Sequence, residues 1–147
     1  MEPSDVEAVA EHVVWAAKEA ITETHGRVGI APVAVILADD KILTAPILDI
    51  TQRRESIRSV VREHGGDGFV LVYGGRLSLP GIEADAVFCI WLMRDGTGKA
   101  TAYTWQVVPG RGVVFDAEIS QDHVAQQYAV VFRLPEQKSS VEGLKSP

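Results

Sequence analysis

Residues 86–108 read AVFCIWLMRDGTGKATAYTWQVV, two β-prone runs joined by a charged, glycine-bearing turn, and this stretch constrains the fold more than any other. In the first run Val87, Cys89, Trp91 and Met93 alternate with Phe88, Ile90 and Leu92, so both faces are apolar. A half-wet strand would alternate apolar with polar; continuous apolarity places this run in the middle of a sheet, with helices on one side and a second cover on the other. Asp95-Gly96-Thr97-Gly98-Lys99 holds residues that tolerate positive φ, which predicts a hairpin loop of about three to five residues. In the returning run Thr101, Tyr103, Trp105 and Val107 form an aromatic face that packs, while Ala102, Thr104, Gln106 and Val108 form a smaller, more polar one.

Length sets the scale for everything around that hairpin. At 147 residues the chain is long enough for one domain with its own core. No apolar run approaches the ~20 residues of a membrane helix, and no leader pattern stands at the start, so the expectation is a cytoplasmic protein with no membrane partner. Cys89 is the one cysteine, which rules out an intrachain disulfide, and its apolar setting reads as a buried, inert thiol. A formal net charge of −6 argues against nucleic acid as a partner, because neutralising phosphates needs a basic surface.

In chain order, Ser4 with Glu7 predicts a capping box and a helix starting near Asp5. Val6, Val9, Ala10, Val13, Val14, Ala17, Ala20 and Ile21 give that helix one apolar stripe, and Gly26 ends it. A second hairpin follows in residues 33–48, then a second helix capped by Asp49 and stopped by Gly65-Gly66. FVLVY at 69–73 is a strand, which Gly74-Gly75 extends through a bulge. Residues 113–119 and 128–134 are read as two more strands, with a loop or single helical turn at 120–127. The resulting fold class is α+β: helix, hairpin, helix, then an antiparallel meander, about six strands in a two-layer plan with two helices on one face. Residues 1–134 are expected to form the single domain, and 135–147, mostly polar, to be a disordered tail. In element order alone, residues 3–108 resemble the start of roadblock-type and profilin-like small domains, a likeness that implies a plan for the chain and no activity.

The residue set most suggestive of chemistry is Asp116, Glu118, Asp122 and His123. Strict alternation would put Asp116 and Glu118 on one face, and oxygen ligands with one imidazole could hold a divalent metal or tune a catalytic base; an edge strand with outward charges explains the same residues structurally. His12 and Trp15 on the first helix mark a candidate ligand pocket, or an ordinary solvated face. Arg54, Arg58 and Arg62, joined by Arg53, make a strip suited to an acidic partner or a phosphate, diluted by Glu55 and Glu63. The acidic outer face of the first helix is complementary to that strip, so two copies could meet through them. The familiar serine and zinc hydrolase signatures are missing from the chain.

These readings lead to a noncatalytic association or scaffold domain with no cofactor predicted. A homo-oligomer is expected, with Phe88, Ile90, Leu92, Tyr103 and Trp105 as a sheet face too apolar for two helices to cover. The alternatives are a divalent-metal-dependent hydrolase on the Asp/Glu/His set and a small-ligand-sensing domain at His12.

Overall fold

A computed structural model describes residues 1–39, 41–45 and 47–133. Asp40, Pro46 and residues 134–147, including the expected tail, lie outside the described residues.

Helix α1 spans Pro3–Glu23 and starts earlier than Ser4 predicts. Glu2 is its N-cap, Asp5 Oδ2 accepts from the Glu2 backbone N–H at 2.9 Å, and Pro3 supplies a pre-set φ in the first turn. Gly26, at φ 73, closes the helix as its N–H donates to the Ile21 carbonyl at 2.9 Å. Strands β1 (Val33–Ala38) and β2 (Lys41–Ala45) form the expected hairpin. Asp49 caps a short 3-10 turn, Ile50–Gln52, and α2 (Arg53–His64) follows it directly, ending at Gly65 with φ 68.

Strands β3 (Gly68–Leu79) and β4 (Ile82–Met93) pair without a register break from Gly68↔Met93 to Leu79↔Ile82. The predicted bulge at Gly74-Gly75 does not form. A Cβ on Gly75 would come within 3.2 Å of the Phe88 ring and one on Gly74 within 3.2 Å of Ile30, so these glycines admit close neighbours. Strand β5 (Gly98–Val108) returns beside β4, and β6 (Gly112–Ser120) beside β5, completing a six-stranded antiparallel sheet ordered β2-β1-β3-β4-β5-β6.

The last expected strand is helical instead. Residues 121–133 hold a short α3 (Asp122–Gln126) and a 3-10 turn (Ala129–Phe132). Ala125, Tyr128 and Val131, spaced three apart, are fully buried against the sheet, so burial selects the helical period over the β-branched composition.

The α+β class and antiparallel sheet are as expected, but the helices divide between the two faces. α1 lays Val6, Ala10, Val14, Ala17 and Ile21 on Val70, Val72, Val87, Cys89 and Trp91. α2 and the C-terminal segment cover Ala34, Ile36, Phe69, Leu71, Ile90 and Leu92 on the other side. The reason is visible in β1 and the second half of β4: each is apolar on both faces, and a sheet so built needs cover on both.

Candidate functional site

The α1 face holds a concave apolar surface. α1 sits over β3 and β4, and its flank toward β1 carries Val13, Ala16 and Ala20, with His12 and Thr24 beside them. The connection at 28–31 runs back along this flank, and together with Val33 and Val72 it encloses a cleft of about 490 Å³. Volumes of this order suit a small ligand or a few apolar side chains. Val28 is 61% exposed and Val33 37%, a cost in apolar hydration that the fold leaves standing. Thr24 spends its hydroxyl on the Ala20 and Ile21 carbonyls, both at 3.2 Å, which leaves the His12 imidazole as the other polar side chain in the lining. Further along α1, a second depression of about 430 Å³ is lined by Met1, Asp5, Val9, Leu37 and Ile42.

His12 therefore lies where a ligand pocket was expected, while Trp15 does not line it. Trp15 stands on the outer side of α1, 59% exposed, its ring 6.2 Å from that of His12 and tilted by 26°.

The candidate metal set is not assembled. Strand β6 shifts register between Thr104 and Trp105, which face Ala117 and Phe115, so Asp116 is the extra residue of a bulge. Its carboxylate accepts from Thr104 Oγ1 at 2.6 Å and Gln106 Nε2 at 3.0 Å, on the face away from α1. Glu118 is paired with Tyr103, whose ring faces α1 under Lys18 Nζ at 4.4 Å. Asp122 accepts from the Ala100 N–H at 3.1 Å, joining the start of α3 to β5, and His123 is exposed on α3. Among the described residues, no three His, Cys, Asp or Glu side chains converge as a metal site. The bulge defeats the alternation on which Asp116 and Glu118 were grouped.

The expected partner face is likewise split. Ile90 and Leu92 are buried beneath the C-terminal segment, and Phe88 stacks on Tyr73 with centroids 5.2 Å apart. Tyr103 and Trp105 point to the opposite side and pack against the α1 core. Of these five side chains Ile90 and Leu92 are buried within the chain, while Phe88, Tyr103 and Trp105 stay partly exposed. Cys89 is buried under α1, and desolvation pushes its thiol up to about 12.

The arginine strip lies along α2, with Arg53 joined to it. Arg53 Nε donates to the Tyr128 hydroxyl at 2.5 Å and Nη1 to the Ile50 carbonyl at 2.7 Å. Arg54 lies over the Tyr128 ring at 5.1 Å, and Arg58 Nη2 donates to the Arg133 carbonyl at 3.3 Å. Arg62 is exposed one turn further on. Burial pushes the Tyr73 hydroxyl up, with Tyr128 adding to it and the neighbouring arginines opposing it. Since α1 and α2 lie on opposite faces, contact between one copy's acidic helix and another's arginines would be head-to-tail and would not close as a two-fold dimer.

The cleft itself left little trace in the sequence, because it is made by where the 28–31 connection lies rather than by a residue pattern. Ala16 and Ala20, small residues four apart beside the apolar stripe, are the one local signal. No helix among the described residues is long and apolar enough to cross a membrane. No family model, curated protein or solved structure matches this chain.

Proposed function

We propose that this protein is a noncatalytic binding domain that takes a small apolar ligand in the cleft between α1 and the 28–33 segment. The observation that carries the reading is the cleft of about 490 Å³ with apolar walls, small alanines on its helical side and His12 at its edge. The probe is the uncharged dye N-phenyl-1-naphthylamine, whose emission rises in apolar surroundings. The wild-type chain gives a saturable rise, and Ala20→Phe, which fills the cleft from an exposed helical position, removes it with the thermal midpoint unchanged. A rise of equal size and midpoint in the variant defeats the reading.

A second reading, association with another copy, is favoured by exposed Met1, Val33 and Ile42 along the same flank of the sheet. Native mass spectrometry separates the two. A monomer with retained ligand mass supports the first, and a dimer that Ile42→Asp converts to monomer supports the second.

A further inference from the structure

We propose that Arg53, Arg54 and Arg58, on the face opposite the cleft, form a binding site for the phosphoryl group of a phosphomonoester. Three observations converge on it. Among the described residues, none of these guanidiniums lies within 4.0 Å of a carboxylate, although acidic residues outnumber basic ones by 20 to 14. Arg53 and Arg54 also occupy the first turn of α2, where the helix dipole disfavours cations; an anion bound there offsets that repulsion. Finally, Arg58 Nε is buried and, among the described residues, has no hydrogen-bond acceptor, an arrangement that folded chains avoid.

The geometry favours a tetrahedral dianion. Arg53 is held in place by the Tyr128 hydroxyl and the Ile50 carbonyl, which occupy two of its five N–H groups and leave three for a ligand. Arg54, over the same Tyr128 ring, stands beside it, and Arg58 follows one helical turn later on the same flank. Several guanidiniums on one flank satisfy the several oxygens and double charge of a phosphoryl group, whereas a lone carboxylate is matched by one. Next to Arg53, whose guanidinium carbon is 5.5 Å from the Tyr73 ring centre, the stacked pair Tyr73 and Phe88 supplies an aromatic surface for the ester's organic part.

The test is calorimetric titration of the full chain with phenyl phosphate, with benzoate as comparator, at fixed ionic strength and pH 7.5. Phenyl phosphate is expected to bind saturably and at least tenfold more tightly than benzoate. Arg54→Gln and Arg58→Gln are each expected to weaken it at least fivefold while thermal melting shows a folded domain. The proposal is overturned if phenyl phosphate gives no saturable heat up to 10 mM, if benzoate binds as well, or if both folded variants bind like the parent. Because Ala20→Phe leaves this face untouched, phenyl phosphate binding persists in that variant, so failure at one site is distinguishable from failure at the other.

Discussion

The two faces of the sheet bury similar strands but are closed differently. On one, α2 and the C-terminal helical segment lie side by side, and between them Ile57, Val61, Ala125, Tyr128 and Val131 reach almost complete burial. On the other, α1 lies alone over the middle strands, and the space between its flank and β1–β2 is only partly filled by the 28–31 connection. One helix, about 10 Å across, cannot roof a six-stranded sheet whose strands stand nearly 5 Å apart. The face with two covering elements is closed beneath them, and the face with one retains a cleft. Charge divides along the same line. The outer side of α1 carries Glu7, Glu11, Glu19 and Glu23, whereas α2 carries Arg53, Arg54, Arg58 and Arg62.

The largest test of this contrast is Tyr128→Ala. Tyr128 is fully buried, packs on Phe69 and anchors Arg53, so its truncation should cost about 4 kcal/mol in urea unfolding. Val13→Ala, on the wall of the cleft, should cost under about 1 kcal/mol, since its surroundings are already open. The opposite order would break the comparison.

The two helix ends sharpen it. Gly26 and Gly65 both sit at positive φ, but a Cβ at Gly65 meets nothing within 4 Å while one at Gly26 meets the Trp105 ring at 2.7 Å. Gly65→Ala is expected to cost about 1 kcal/mol from backbone strain and Gly26→Ala about 3 kcal/mol, the excess arising from crowding under the α1 face. Equal losses in chemical denaturation would mean that Trp105 yields freely.

Cys89 probes how deep the opening goes. Its thiol, pushed from 9.0 to about 12 by burial, stays protonated in the folded chain when the unfolded chain has released its proton. The stability it contributes is therefore complete below pH 9 and is lost as the pH rises toward 12, at up to about 1.4 kcal/mol per pH unit. Cys89→Ala should flatten that decline, and at pH 8 the wild-type thiol should react with a disulfide reagent only as fast as the chain unfolds. Rapid labelling of the native protein would show that the cleft extends to β4. The smallest expected effect is that of Ala20→Phe on stability, within about 0.5 kcal/mol, because the position is an exposed helical site.

Much of the fold was legible in local pattern. The helical stripe of α1, the glycine stops at Gly26 and Gly65, and the doubly apolar run of β4 are readable because each depends on neighbours a few residues away. The candidate sites were less so. Asp116 and Glu118 look like one face under strict alternation, and only the pairing with β5 introduces the bulge that turns them apart. Residues 128–133 look like a strand by composition, yet the spacing of Ala125, Tyr128 and Val131 fits a helical segment lying on the sheet.

By itself, then, the sequence determined that the run at 87–93 needs cover on both sides, since its continuous apolarity leaves no face for water. Which element supplies that cover, and how completely, was decided only in three dimensions. Burial is a property of what packs across a face, and a period of two or 3.6 residues carries no information about which distant segment arrives there.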